Sequence, residues 1–334
     1  MTAPDDELVV RLLAEAPGPD VEARAAVAAR AGRTLRPSGA LARLDATASW
    51  LAGWQRTARP AVERPAAVVF VGDHGVADED VSAYPAAVTP AMLRALREGV
   101  ATASAMARTV GAELRVVDVG AGRPTGNIVR EPALTPERFA ECFDAGRSTV
   151  AALSCDLLVL GEMGIANTTP AAAVAATLYG GPAEEWTGRG TGVDDAGWGR
   201  KVAAVEAARA RVPAEAGPFD VLREAGGAEL AAIAGAALEA RIRSIPVLLD
   251  GFVVTAAVAP LAVAAAGALD HCIAGHRSPE PGHALLLSKL GMEPLLDLGM
   301  RLGEASGALA AVPLVRLAAA AVVDVATFEE FGLA

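Results

Sequence analysis

A glycine-rich segment in the middle of the chain combines a carboxylate with amide and hydroxyl side chains. It reads Gly161-Glu162-Met163-Gly164-Ile165-Ala166-Asn167-Thr168-Thr169-Pro170 and separates an apolar run from an Ala-rich stretch. Glycines and the free N–H groups at a helix start can together bind a phosphate. The same residues also suit an ordinary strand-to-helix turn, with Asn or Thr capping the helix and Pro170 in its first turn. No Gly-Lys-Ser/Thr follows, so the segment is not a P-loop.

A second glycine-rich loop, residues 188–192, precedes Asp194, Asp195 and a predicted helix that carries Lys201. The chain has only two lysines among its 29 basic residues, so a lysine here indicates a need for a compact charge, such as a phosphate contact. The alternative is a flexible loop ended by an aspartate cap. The aspartate pair follows a glycine loop rather than an apolar strand, which disfavours magnesium binding there.

Three of the four histidines, His271, His276 and His283, lie within 13 residues. With Asp73 and His74 they are candidate ligands of a metal ion. Their spacing is not that of one helical face, and the prolines among them predict a shaped loop. A structural or substrate-lining role is therefore favoured, and no metal is predicted.

One carboxylate, Glu304, lies in a short segment of small residues between two apolar stretches. Partial burial there would raise the pKa of Glu304 and make it a general base. The alternative is a solvated glutamate that caps the following helix.

The composition excludes several classes of protein. Of the 334 residues, 53% are hydrophobic and 21% are charged, which excludes a disordered chain. The net charge of −11 opposes nucleic-acid binding. Three cysteines are too few for a disulfide framework, and the acidic N-terminus lacks a secretory signal, so a cytoplasmic location is expected. The uncharged stretch 251–269 contains Pro260 and has carboxylates at both ends, which favours a buried helix over a membrane span.

Five short apolar runs, each ending in a polar residue or a glycine, predict strands that are buried on both faces. They alternate with Ala-rich segments of helical spacing, so we expect an α/β fold with a doubly wound, mostly parallel sheet flanked by helices. Ligands of such sheets bind beyond the carboxyl ends of the strands, where Asp73, Glu162, Asp250 and His276 fall. The predicted strands are residues 67–73, 114–118, 157–162, 245–250 and 271–276, and the predicted helices are 90–110, 170–178, 196–212, 228–243 and 252–269.

The two ends of the chain lack the strand pattern. Residues 1–60 are predicted to be the N-terminal helical part of a small domain, and residues 291–334 its C-terminal helical part, which carries the Glu304 loop. Residues 61–290 between them are predicted to form the α/β domain, which binds the substrates.

Taken together, these motifs resemble the nicotinate-nucleotide:dimethylbenzimidazole phosphoribosyltransferase family. The resemblance implies transfer of phosphoribose from nicotinate mononucleotide to a benzimidazole-type base, with inversion at the ribose, in assembly of the lower ligand of cobalamin. It also implies a small domain built from both chain ends, a homodimer, and a reaction that needs no metal or other cofactor. The matching segments are residues 72–76, 81–85, 161–170, 188–195, 249–252, 276–278, 280–283, 295–298 and 302–304.

The resemblance also implies roles for individual residues. Glu304 matches the family's general base, and Glu162 is expected to stabilise positive charge on the ribose. Ser82 and Tyr84 fall where the family lines its base pocket. The remaining residues expected to bind substrate are Gly164, Ile165, Ala166, Asn167, Thr168, Lys201, Asp250, Gly251 and Ser278.

Two positions depart from the family pattern. Ala166 replaces a common glycine in the phosphate loop, and Ala91 stands where a glutamine near the aromatic base is usual. The acceptor base is therefore left open. Two alternative functions also remain: a phosphohydrolase that binds metal through Asp73, His74 and His276, and a non-catalytic nucleotide-binding paralogue.

Overall fold

The structure is a computed structural model that describes residues 5–333. Its centre is a sheet of five strands in the order β2-β1-β3-β4-β5, and all neighbouring strands are parallel. The doubly wound parallel sheet predicted from the sequence is thus confirmed. The strands are β1 (Pro65–Gly72), β2 (Glu113–Gly120), β3 (Leu157–Met163), β4 (Val247–Leu249) and β5 (Cys272–Ala274).

Fourteen α-helices and one 3₁₀ turn (Gly75–Glu79) surround the sheet within the described range 5–333. The helices are α1 (Asp6–Glu15), α2 (Val21–Ala31), α3 (Ala42–Gln55), α4 (Val88–Arg97), α5 (Thr102–Val110), α6 (Pro136–Ala151), α7 (Thr168–Tyr179), α8 (Ala183–Trp186), α9 (Asp195–Arg211), α10 (Pro218–Ala225), α11 (Ala228–Ile242), α12 (Phe252–Ala264), α13 (Pro281–Leu290) and α14 (Ser306–Val323).

Alternate side chains of the central strands enter two separate cores. Val68 and Phe70 of β1 pack with α6, α7, α11 and α12 on one face of the sheet. Val69 and Val71 pack with α3, α4, α5 and α14 on the other face. Because successive strand residues point to opposite faces, a strand covered on both sides must be apolar throughout, as β1 is.

The chain reverses its direction of winding between β1 and β3, since β2 lies on one side of β1 and β3, β4 and β5 follow on the other. In open α/β sheets a crevice forms at such a point, outside the carboxyl ends of the strands. The residues that follow β1 and β3 therefore border the expected binding crevice.

Two predicted helices differ from the structure. The segment predicted as one helix over 90–110 is two helices, α4 and α5, because Gly99 adopts a left-handed conformation with φ of 75° and ends the first. The helix predicted over 252–269 ends at Ala264, and Pro260 lies inside it and is buried.

The N-terminal and C-terminal helices pack together. Ala23 and Val27 of α2, Ala48 and Ala52 of α3, and Val322 of α14 belong to one apolar cluster. The first half of α14 instead packs against the sheet. Within residues 5–333, α14 alone is long and apolar enough to cross a membrane by length and composition, but 56% of it is buried inside the fold, as in a core helix.

Candidate active site

A cavity of about 630 Å³ opens at the carboxyl ends of β3, β4 and β5. Its walls come from the segment after β3, the glycine loop before α9, the starts of α4, α5 and α12, and the residues before α14. Most of the site residues expected from the sequence line it: Tyr84, Glu162, Gly164, Ile165, Asn167, Thr168, Gly251, Ser278 and Glu304.

Glu162 lies near the end of β3 with its side chain buried. Burial, together with the nearby carboxylate of Asp250, raises the pKa of Glu162 to about 8. Asn167 opposes the shift, because its Nδ2 donates a hydrogen bond to Oε2 of Glu162. These surroundings therefore favour the protonated, neutral form of Glu162. A positive charge placed beside the side chain would favour the carboxylate instead.

Glu304 is attached directly to β3. Its backbone N–H donates to the carbonyl oxygen of Glu162 over 3.0 Å, and a Cβ at Gly161 would overlap the backbone of Ala305. Gly303, Glu304 and Ala305 all have left-handed backbones, with φ of 81°, 60° and 66°. For the two non-glycine residues this conformation is strained, and such strain persists only where the surroundings impose it.

The carboxyl group of Glu304 is largely removed from water. Burial raises the pKa of Glu304, a backbone hydrogen bond from Ala103 at the start of α5 lowers it, and Asp250 raises it. Oε2 is buried and makes no hydrogen bond to any residue in the described range 5–333. One oxygen of Glu304 is therefore available to accept a proton.

The loop between β3 and α7 is held in place by a hydrogen bond from its backbone to α4. The N–H of Ile165 donates to the hydroxyl of Thr89 over 3.2 Å. Ala166 has a left-handed φ of 73°, which explains why glycine is favourable at this position. The predicted capping by Asn is wrong, because the Asn167 side chain makes no capping hydrogen bond and binds Glu162 instead.

Lys201 of α9 lies beneath this loop rather than on the cavity wall. It is 1% exposed, and its Nζ donates to Oγ1 of Thr168 over 2.8 Å. Burial lowers the pKa of Lys201 to about 8, whereas Glu280 raises it. Glu280 also accepts a hydrogen bond from the N–H of Gly190 over 2.8 Å, so the glycine loop, the lysine and this carboxylate form one assembly.

Asp250 lies beyond the end of β4 and is fully buried. It accepts a hydrogen bond from the N–H of Ala308 over 3.0 Å, in the first turn of α14, and its Oδ1 is 3.5 Å from Nε2 of His276. Burial raises the pKa of Asp250, and the nearby His276 opposes that shift. His276 itself lines the cavity, whereas Asp250 supports the wall from behind.

Apolar side chains form another part of the cavity wall: Val88, Met92, Met163, Phe252, Val253 and Leu302. Tyr84 stands at the rim and is 51% exposed. Ser82 does not line the cavity, but its Oγ accepts a hydrogen bond from the N–H of Tyr84 over 3.3 Å. Ala91 is exposed on α4 and does not reach the cavity, although Val88 and Met92 on the same helix do.

The histidines of the metal alternative are not brought together. His74 pairs with Glu229, and His276 faces Asp250. Asp73 accepts a hydrogen bond from the N–H of Gly122. Within residues 5–333 no group of three or more His, Cys, Asp or Glu side chains is arranged to hold a metal ion.

Sequence reasoning missed three residues of the site. Glu280 and Arg301 line the cavity, and Glu229 supports the Gly164 loop from the first turn of α11. The position of Glu229 carried a signal, since it is a carboxylate in an otherwise apolar, buried helix. Nothing in the local sequence around Glu280 or Arg301 indicated which loop each would contact.

A parallel α/β fold with a phosphate-type loop, a buried lysine and two buried carboxylates at its switch point defines a class of nucleotide-binding enzymes. The profile of the phosphoribosyltransferase family matches residues 16–333. The chain belongs to this family and is a phosphoribosyltransferase.

Relatives and solved structures agree on the branch of the family. The chain is 49% identical over 322 residues to a nicotinate-nucleotide–dimethylbenzimidazole phosphoribosyltransferase of Ruegeria pomeroyi, covering 96% of this chain and 95% of that one. A protein of the same name from Mesorhizobium japonicum is 50% identical over 329 residues, covering 98% and 97%. The crystal structure of such an enzyme from Thermus thermophilus superposes with a TM-score of 0.89 at 40% identity, covering 94% of this chain and 99% of that one.

Proposed function

We propose that this enzyme transfers the phosphoribosyl group of nicotinate mononucleotide to dimethylbenzimidazole or a related base, giving α-ribazole 5′-phosphate and nicotinate. The observation that carries the proposal is the direct connection of Glu304 to Glu162 through a backbone hydrogen bond at the end of β3. It brings two buried carboxyl groups to a cavity that a phosphate-type loop and apolar side chains also line. That arrangement fits a cationic nucleotide and a flat aromatic acceptor.

The reaction on this site is a single displacement. One ring nitrogen of the base attacks C1 of the ribose, and the bond from C1 to the pyridinium nitrogen breaks. The bonding electrons leave with nicotinate, whose ring nitrogen becomes neutral, so the leaving group needs no proton. Attack from the opposite face converts a β-glycosidic bond into an α one.

Glu304 is the general base of this proposal. The attacking base becomes cationic as its bond to C1 forms, and the N–H on its other nitrogen becomes acidic. Oε2 of Glu304 is buried and unpartnered among the described residues, so it is placed to take that proton. The raised pKa of Glu304 strengthens it as a proton acceptor.

Glu162 responds to positive charge. With a pKa of about 8, it is largely protonated at neutral pH. A pyridinium or an oxocarbenium-like ribose beside it would lower that pKa and favour the carboxylate. Glu162 thus stabilises the charge that develops on the ribose during the displacement.

The remaining residues bind the substrates. The loop 164–168 takes the 5′-phosphate, with the charge of Lys201 acting from beneath through Thr168. Gly251 and Ser278, with Asp250 behind them, border the nucleotide from the β4 and β5 side. Tyr84, positioned with Ser82, covers the aromatic base at the rim beside Val88 and Met92. We further propose that the enzyme is a cytoplasmic homodimer that acts in cobalamin lower-ligand assembly.

The test is to incubate purified protein with nicotinate mononucleotide and dimethylbenzimidazole and to separate the products by chromatography. We expect nicotinate and α-ribazole 5′-phosphate in equal amounts, and no nicotinate when the base is omitted. No nicotinate at high enzyme concentration would contradict the proposal, and thermal stabilisation by the mononucleotide without turnover would favour the non-catalytic paralogue. Parallel reactions with adenine and other benzimidazoles identify the preferred base.

A further inference from the structure

The charged side chains on the cavity wall are unequally distributed. Among the described residues 5–333, three carboxylates line the cavity, Glu162, Glu280 and Glu304, whereas Arg301 is the sole arginine or lysine that does so. The donor of the proposed function carries a phosphate dianion. Even with Glu162 protonated, Glu280, Glu304 and the net charge of −11 repel such a group unless a cation is placed to receive it.

The position of Arg301 relates it to the glycine loop 188–192. Its Nη1 lies 3.9 Å from the place where a Cβ on Gly192 would stand. On the same loop, a Cβ on Gly190 would stand 3.2 Å from Nζ of Lys201 and 3.2 Å from Oγ1 of Thr168. The loop therefore has a buried cation near Gly190 and an exposed cation near Gly192.

Arg301 is also unengaged. Within the described part of the chain it makes no hydrogen bond or ion pair, whereas the exposed arginines Arg189 and Arg277 pair with Asp195 and Asp297. A free guanidinium can donate two parallel hydrogen bonds to a phosphate, which an ammonium group such as that of Lys201 cannot match in geometry.

The backbone around Arg301 belongs to neither a helix nor a strand, and it is flanked by two glycines with positive φ. Gly299 and Gly303 bracket the three residues between them, and both have left-handed φ values, 66° and 81°. These two turns carry Arg301 toward the glycine loop while Glu304, three residues further on, faces Glu162. One short segment thus supplies both a cation and the proposed general base.

We propose that Arg301 binds the 5′-phosphate of the nucleotide donor from the solvent side of the glycine loop, opposite Lys201. The inference rests on the proposed function, since it takes the donor to be a pyridine mononucleotide. The donor has a second anionic group, the carboxylate of nicotinate, and the experiment separates the two.

The test compares Arg301→Met with the wild type by calorimetric binding of nicotinate mononucleotide and nicotinamide mononucleotide, and by competition with inorganic phosphate. The amide analogue keeps the phosphate but lacks the carboxylate. We expect all three affinities to fall by roughly 10- to 100-fold, the loss typical of a charge-assisted hydrogen bond. Arg301→Lys should recover part of the loss, because charge remains without the bidentate geometry.

Other outcomes overturn the inference. A loss confined to nicotinate mononucleotide assigns Arg301 to the carboxylate, and unchanged affinities remove it from the site. Loss of binding together with a lowered melting temperature in both variants would assign it a structural role. The control is Arg11→Met, an exposed arginine on α1, which should change none of these values. Because binding is measured without turnover, failure of the catalytic proposal would be seen separately, in the wild-type product assay.

Discussion

The imidazole of His74 and the carboxylate of Glu229 form a buried pair, with Nε2 and Oε1 2.6 Å apart and both side chains almost inaccessible to water. His74 follows β1, and Glu229 lies in the first turn of α11, where a negative charge is favourable. A Cβ on Gly164 would stand 3.2 Å from each of these two atoms. The pair is therefore the floor on which the phosphate-type loop rests.

Gly164→Ala should reduce activity, because the added methyl group would displace the loop from the His74–Glu229 pair that supports it. The added Cβ would stand 2.6 Å from the carbonyl oxygen of Gly72, so the loop must move. We expect kcat/KM for the mononucleotide to fall by at least about 10²-fold, since displacements of about 1 Å have such effects. The matched control is Gly199→Ala on α9, where a Cβ meets nothing within 4 Å. It should keep full activity and gain about 0.5–1 kcal/mol of stability in urea unfolding. Equal activity of the two variants would contradict this role of the floor.

Glu304→Gln should separate binding from catalysis. The amide retains the shape of the side chain but cannot accept the proton, so we expect kcat to fall by about 10²–10⁴-fold. The affinity for the mononucleotide, measured by calorimetry, should stay nearly unchanged. Glu98→Gln, at an exposed ion pair with Arg94 at the C-cap of α4, is the control and should retain wild-type turnover. Normal turnover in Glu304→Gln would remove Glu304 from its proposed role.

Glu162 should make the empty enzyme less stable as the pH rises. Its pKa is about 8 in the folded chain against an ordinary value of 4.5, so between these values the folded state holds a proton that the unfolded state has released. The contribution of Glu162 to the free energy of unfolding therefore falls as pH increases through that window. The glutamine of Glu162→Gln does not titrate, so this variant lacks that pH-dependent contribution.

Urea unfolding without substrate, at about pH 6 and about pH 8.5, measures this effect. The stability of Glu162→Gln relative to wild type should be higher at the upper pH than at the lower one. The difference between the proteins cancels the titration of groups that both share. A pH dependence identical in the two would show that Glu162 titrates normally.

Replacing alanine by glycine should change the free energy of unfolding in opposite directions at Ala166 and at an ordinary helix position. Its φ of 73° is unfavourable for a residue with a Cβ, so Ala166→Gly should stabilise the protein by about 1 kcal/mol. Ala25→Gly, at an exposed position in α2, should destabilise it by about 1 kcal/mol. Urea unfolding of both variants gives the comparison, and destabilisation by Ala166→Gly would contradict the assigned strain.

The sheet was predictable because its central strands β1, β3 and β4 are buried on both faces. The expectation of full burial is wrong for the edge strand β2, whose residues are partly or fully exposed. All five predicted strands correspond to β1–β5, since a run such as 67–71 must be apolar to pack against helices on each side. The rule that ligands bind at the carboxyl ends then placed Glu162 and His276 at the cavity before any contact was known.

What remained unpredictable depends on contacts between distant segments. The side chain of Asn167 has the same local signal whether it caps α7 or binds Glu162, and the tertiary position of Glu162 decides between them. Likewise, no local pattern relates Arg301 to Gly192 or Glu229 to His74, because those distances arise only when the strands are ordered in the sheet. Gly99 carried a possible helix-end signal, but the alanines around it matched a continuous helix.

The attachment of Glu304 to the end of β3 has a consequence for the folding of the chain during its synthesis. A ribosome releases β3 long before it releases Glu304 and α14, and until then the Gly161 backbone lacks its contact with Ala305. A nascent chain can therefore order much of its sheet while still lacking the proposed proton acceptor. With Glu304 as that acceptor, we expect a chain stopped before this segment to be inert even with its nucleotide loop intact.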